Sequence, residues 1–554
     1  MLSSFGLGLP ALFFPTDLEN QAPRGMGRLI VVPDQEDRMS PQQRYQLVIG
    51  GKLTDAASGE TFESIDPSTG QAFAEVAQAG PEDVRTAVDA ARKAFDEGPW
   101  PRMRGRERAK HLLAIAEGIK KAAKDLAELE SRDSGGTIRK AKNADIGMAI
   151  STFRVFAEIA GREEDEEPLP RTPISYNYVR REPLGVCAAI TPWNFPLQMA
   201  AWKIAPAIAA GNTVILKPAS YTPLSSIEVG RIALEAGLPE GVVNVLPGPG
   251  GAVGEELVTS PDVDKIAFTG STEVGRRIMQ LAAGTIKKVT LELGGKSAAV
   301  VTDDADLDYA TDGALWGVFF HQGQVCSAGT RLLLQRSVHD RFLAELVDRA
   351  ERLTVGPALD QGSDLGPVVS RSQLETVERY VEIGQKEGAE LAVGGERAAV
   401  DGHEGGFYYR PTILSKVENN MQVAQEEIFG PVLAVIPFED DDDAVRLAND
   451  SMYGLAGAVW SSNVPRAISI AERLQTGTVW INDYHMINPR YPFGGYKQSG
   501  IGREHGTFGY NEYRETKHLH IDLAGGRDKH PWWDTLLARE SMGKPAKGDA
   551  SPGA

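Results

Sequence analysis

Two rhythms of apolar and polar positions run through this chain. Between Pro81 and Leu129, the stretches "EDVRTAVDAARKAF" and "KHLLAIAEGIKKAAKDLAELE" repeat apolar residues at three and four spacing with charges opposite, which predicts packed amphipathic helices. Alternation from Ile174 to Val179 in "PISYNYVRREP" predicts an extended hairpin arm, of the kind that reaches a neighbouring subunit. Beyond it, short β-branched runs ("GVCAAI", "NTVILKP", "VVNVLP", "VDKIAFTG") alternate with helical stretches such as "SSIEVGRIALEAG" and "STEVGRRIMQLAA". A second series begins at "KSAAVVTDDADLDYATDGALWGVFF" and continues through "TRLLLQ", "GPVLAVIPF" and "AGAVW". Strand and helix in alternation imply parallel sheets covered on both faces, so two α/β domains in tandem are expected. The boundary is placed in "LELGGK", residues 291 to 296, where paired glycines let the chain change direction.

Composition narrows the function classes. A chain of 554 residues, 42% hydrophobic and 24% charged, is long enough for two or more cores. Its net charge of −18 repels phosphate backbones, and nucleic acid is not expected as a partner. Two cysteines make neither a disulfide framework nor a four-thiolate metal site, and the nine histidines lack ligand spacing. A cytoplasmic protein without a metal is expected. The opening "MLSSFGLGLPALFFPTDLE" lacks a basic region before its apolar run, and no stretch reaches the ~18 apolar residues of a membrane span. Residues 1–44 are expected to be a loose leader and 526–554 a tail.

Several short stretches carry chemistry, each with a plainer alternative. In "FTGSTEVG", Gly270 and Ser271 sit where a strand passes directly into a helix, a turn that either holds a phosphate or merely caps the helix. "PGPGGAVG", containing Gly250, superficially fits a dinucleotide fingerprint or is a plain loop. Lys217 in "ILKPAS" ends a strand, at the edge where open α/β sheets bind ligands, or is a solvated lysine. Asn194 in "TPWNFP", stiffened by two prolines, donates its amide to a developing oxyanion or forms a turn. Glu292 interrupts an apolar strand, as a paired carboxylate or as a general base with a raised pKa. Cys326 in "GQVCSAG" lies among small residues, whereas Cys187 in "LGVCAAI" is a small core residue.

Taken together and in order, "TPWNFP", "ILKPAS", "FTGSTEVG", "LELGGKS", "GQVCSAG", "EEIFGPV" and "PFGGYKQSG" resemble the aldehyde dehydrogenase superfamily over roughly residues 45 to 525. The resemblance implies a Rossmann-like cofactor domain (45–168 and 184–292), an α/β catalytic domain (293–506) and a small β oligomerisation arm (169–183 and 507–525). It implies oxidation of an aldehyde to the acid through a thiohemiacetal and thioester on Cys326, with hydride leaving for NAD(P). Cys326 then needs thiolate character below the free value of about 8.5. Asn194 and the cysteine N–H hold the oxyanion, and Glu292 activates the hydrolytic water. Cofactor contacts fall to Lys217, Ser271 and Glu427, with the Phe429 ring beside the nicotinamide and backbone contacts from Trp193 and Leu293. "GPGGAVG" becomes a loop beside the adenine. Phe195, Gln198, Trp202, Phe320, Met486 and Phe493 match the substrate funnel, whose aromatic walls favour an apolar aldehyde. Ser220 stands where NAD-selective members often have a glutamate, so dual use of NAD and NADP is expected. A homodimer or homotetramer follows from the arm. A thiol hydrolase with His321 as base, the competing reading, leaves Lys217, Ser271 and Glu427 without a role.

Overall fold

A computed structural model describes residues 43–162 and 166–537. Most of the expected leader (1–42) and the end of the tail (538–554) lie outside the described residues. Gln43 and Arg44, expected to be loose, instead open the strand Gln43–Tyr45, which pairs with Gln71–Ala77. Tyr45 is buried there, and the lost conformational freedom is offset by that burial.

The first large sheet has eight strands. Its five central strands are parallel, in spatial order Lys288–Glu292, Lys265–Thr269, Val186–Ile190, Thr213–Lys217 and Val243–Val245. The chain starts in the middle, at Val186–Ile190, builds outward to one side and then crosses back to build the other. Strand order therefore reverses between Val186–Ile190 and Lys265–Thr269, and such a switch leaves a crevice at the carboxyl ends of the strands. The strands are buried almost throughout, with mostly apolar residues, because helices cover both faces.

The second sheet has seven strands, with Ala298–Val301 and Arg331–Gln335 at its centre. Glu292 closes a strand of the first sheet and Ala298 opens one of the second, so the change of sheet falls within "LELGGKS". The short strand Gly500–Ile501, placed by its sequence position among the catalytic residues, pairs antiparallel with Leu291 and Glu292 at the edge of the first sheet. A third sheet runs Arg514–Asp522, Ser175–Pro183, Glu166–Pro168, all antiparallel. Its strand register brings Ser175 opposite Asp522 and Pro183 opposite Arg514. Residues 507–511, expected in this arm, lie in the helix Gly506–Asn511 instead. No described helix is long and apolar enough to cross a membrane, and no described group of His, Cys, Asp and Glu has the clustering to hold a metal.

Candidate active site

Strand register alone aligns most of the candidate residues. Lys217 lies opposite Ile190, Ile190 opposite Phe268, and Thr269 opposite Glu292. The loops that leave this row carry Trp193 and Asn194 on one side of the switch crevice and Gly270 and Ser271 on the other. Ser271 caps the helix Thr272–Ala282, its hydroxyl accepting from the Val274 N–H at 3.3 Å. The cap and the turn expected to hold a phosphate are thus the same exposed turn, with the helix dipole behind it.

Asn194 is buried just before the helix Pro196–Ala209, and its amide nitrogen donates to the carbonyl oxygen of Gln324 at 2.8 Å. One proton of that amide anchors the cysteine loop and the second remains for an oxyanion. The loop's small residues are dictated by Tyr484, whose hydroxyl donates to Ser327 O at 3.0 Å. A side chain on Gly329 would sit 3.0 Å from the same ring. Across the interdomain turn, a side chain on Gly295 would meet the Cys326 carbonyl at 2.4 Å. The Gly295 N–H donates to Glu427 Oε1 at 3.0 Å, so one glycine joins the Cys326 loop and the carboxylate. Leu293 N–H donates to Ser499 O at 2.9 Å, and Ser499 Oγ donates to Gly294 O at 2.7 Å, which ties "LELGG" to "YKQSG".

Cys326 is partly exposed and packs on a buried cluster of Phe195, Met199, Trp202, Val325, Ala328, Leu455 and Phe493, with Phe320 and Ile487 against it. Met199 and Ile487 were missed in the sequence. Met199 shares a helix face with Phe195 and Trp202, a spacing that pointed equally to Gln198. Gln198 donates its amide nitrogen to Asp145 at 2.7 Å, which leaves its amide oxygen free of that bond, and Met486 is 62% exposed beside Ile487.

Electrostatics correct one expectation. The Cys326 thiol is not held below its ordinary value but pushed up to about 12, first by burial and then by the carboxylates Glu427 and Glu292. Those carboxylates are raised too. Burial lifts Glu427 to about 7, against the Gly295 N–H and Lys296. Burial and Glu504 lift Glu292 well above the carboxylate range, against Lys203. A reluctant acid thus faces an unusually basic carboxylate, which narrows the gap a proton transfer must cross. Glu292 Oε2 has no hydrogen-bond partner within the described residues, and its neighbours include the buried ion pair Lys203–Glu504. Neither member of that pair was singled out by sequence, although Lys203 stands alone as a charge in the apolar "AAWKIAPAIAA". His321, the base of the competing reading, is buried. Burial and Lys140 hold its imidazole far below its ordinary value, and its ring packs 5.2 Å from Phe195.

The crevice has the chemistry to hold a dinucleotide. Burial lowers the Lys217 ammonium to about 8, and it donates to Pro218 O at 3.0 Å. The segment Gly250–Glu255 packs beside it, a side chain on Gly254 falling 4.0 Å from Lys217 Cδ. Phe429 adopts a left-handed backbone (φ 59°) pinned by Gln373, whose amide donates to its carbonyl at 2.9 Å, and its ring meets Trp193 edge-on at 5.1 Å. The Trp193 carbonyl accepts from the Thr222 hydroxyl at 3.0 Å.

A thiol, a basic carboxylate and an anchored amide beside a dinucleotide crevice define a cysteine-dependent oxidoreductase. Residues 53–519 match the model of the aldehyde dehydrogenase family. Betaine aldehyde dehydrogenase of Bacillus subtilis is 48% identical over 474 residues, covering 86% of this chain and 96% of that one. The mitochondrial benzaldehyde dehydrogenase of Antirrhinum majus is 42% identical, covering 89% and 90%. The NAD+ complex of Staphylococcus aureus betaine aldehyde dehydrogenase superposes with a TM-score of 0.85 at 40% identity, covering 87% of this chain and 95% of that one. An NAD+ complex of a Bacillus cereus aldehyde dehydrogenase gives 0.85 at 41%, covering 88% and 99%. The chain belongs to the aldehyde dehydrogenase family, and it oxidises aldehydes to carboxylic acids with transfer of hydride to NAD(P).

Proposed function

We propose that Cys326 is the nucleophile of this reaction, with Asn194 and the Cys326 N–H as oxyanion donors and Glu292 as the base. Glu292 takes the thiol proton as sulfur attacks the aldehyde carbon. NAD(P), held in the crevice, would supply the acceptor for the hydride that the thiohemiacetal releases. Glu292 releases the thiol proton to solvent, then takes a proton from water as the water attacks the thioester, and returns it to the departing sulfur so that the acid leaves with the thiol restored. Lys217, Ser271 and Glu427 hold the cofactor, with Trp193, Gly250, Gly270, Leu293 and Phe429 around it. The funnel formed by Phe195, Met199, Trp202, Phe320 and Phe493 takes an aldehyde with an apolar or aromatic body. The enzyme works in the cytoplasm as a homo-oligomer through its antiparallel arm, whose outer strand Arg514–Asp522 offers an edge for pairing.

Both NAD and NADP serve as acceptor. What carries this reading is Ser220, an exposed hydroxyl donating to Gly248 O at 3.0 Å, where a carboxylate would repel a 2′-phosphate. The nearby acidic residues do not replace that carboxylate. Glu255 is bound by both guanidinium arms of Arg277, at 3.1 and 3.2 Å, and Glu256 faces Arg85 at 3.7 Å. The test is kcat/KM for both cofactors in the wild type and in Ser220→Glu. NADP is expected within about a thousandfold of NAD in the wild type and beyond it in the variant, a threshold of roughly 4 kcal/mol. Exclusion of NADP by the wild type would overturn the reading.

A further inference from the structure

One wall of the funnel is polar, and its polarity is directional. Gln198 lies on the helix Pro196–Ala209 between its N-cap Phe195 and Trp202, two aromatic residues of the cluster on which Cys326 packs. Its amide nitrogen donates to Asp145 Oδ1 at 2.7 Å. The other oxygen of Asp145 takes the Lys140 ammonium at 2.7 Å, and both members of this ion pair are buried. Lys140 also sits 4.2 Å from the centroid of the Phe195 ring. A carboxylate paired with an ammonium only accepts hydrogen bonds, so the nitrogen of the Gln198 amide must face Asp145. A flipped amide would set two oxygens against each other in a buried site.

The amide is planar, so its oxygen points away from the fully buried Asp145. Gln198 is 7% exposed, and its Oε1 accepts no hydrogen bond from a described residue while not being among the fully buried unpartnered atoms, so that oxygen keeps some accessibility. We propose that Gln198 Oε1 is a fixed hydrogen-bond acceptor in the substrate funnel, and that the enzyme selects aldehydes whose apolar body carries a polar hydrogen, such as a hydroxyl or a protonated amine. A bare hydrocarbon tail leaves that oxygen desolvated, and a trimethylammonium group offers it no donor hydrogen. This inference rests on the assignment of the funnel to the residues around Cys326.

The experiment compares kcat/KM for 3- and 4-(hydroxymethyl)benzaldehyde with 3- and 4-ethylbenzaldehyde, pairs of nearly equal shape that do not cyclise. Wild type is expected to favour at least one hydroxymethyl compound by about tenfold. Gln198→Leu and Gln198→Met are expected to erase the preference, chiefly by raising KM for the hydroxymethyl compounds. An equal preference in wild type and variants, or none in the wild type, overturns the proposal. So does loss of turnover of the ethyl compounds in both variants, which would make Gln198 a structural support. A wild type inactive on every benzaldehyde would refute the funnel assignment itself, so the two failures are distinguishable.

Discussion

Asn194 and Gln324 are joined by a 2.8 Å hydrogen bond from side-chain amide to main-chain carbonyl, across the gap between the two large sheets. It sets the amide against the loop that carries Cys326, two residues further on. Asn194→Ala removes both this anchor and an oxyanion donor. A fall of about 10² to 10³ in kcat is expected, with cofactor affinity retained. Steady-state kinetics with cofactor titration checks it, and an unchanged kcat would exclude the oxyanion role.

Cys326→Ala is expected to abolish aldehyde oxidation while leaving NAD(P) binding intact, because Lys217 and Ser271 belong to the first sheet and Cys326 to the loop entering the second. Calorimetric cofactor titration of the inactive variant separates the two effects. Residual dehydrogenase turnover beyond a few per cent would rule the thiol out as nucleophile.

Glu292→Gln is expected to give a burst of reduced cofactor followed by slow turnover, as hydrolysis of the thioester loses its base. In the wild type, hydrolysis should rise with pH through the raised Glu292 value, since only the deprotonated carboxylate accepts a proton. Stability should move the other way. Above its ordinary value of 4.5 the unfolded chain has lost a proton that folded Glu292 still binds, so stability declines as pH rises through the folded value. The variant should therefore melt higher than wild type near about pH 8, the gap closing below about pH 4. A lower melting temperature at both would contradict the burial argument.

Lys203→Met leaves Glu504 buried without its partner, and a loss of about 3 to 5 kcal/mol of stability is expected. Adding Glu504→Gln should restore part of it. Because Lys203 pulls the Glu292 value down, the single variant should also shift the pH dependence of hydrolysis to higher pH. Denaturant melts and a pH profile of acid release measure the two effects independently.

Much of the site could be read locally. Cys326, Glu292 and Asn194 stand out because each is a reactive or rigid group set in small, apolar or proline-bracketed company, and chain spacing preserves that company. Lys217 and Ser271 are legible because strand ends and helix starts are local events. Met199 was missed beside Gln198, since Phe195 and Trp202 stand three and four positions from each of them and that spacing fits both. Met486 and Ile487 posed the same problem in a loop without periodicity.

What the sequence determined by itself is the alternation of strand and helix, the change of sheet at "LELGGK" and the order of its chemical motifs, all set by periodicity and backbone propensity within a few residues. Tertiary structure alone decided the rest. It set Glu504 against Lys203 and Glu292, placed Gly500–Ile501 on the edge of the first sheet, and closed Gln198, Asp145 and Lys140 into one buried chain. It also pushed the Cys326 thiol up rather than down. Burial and through-space charge depend on residues hundreds of positions apart, and no local pattern records which of them will be neighbours.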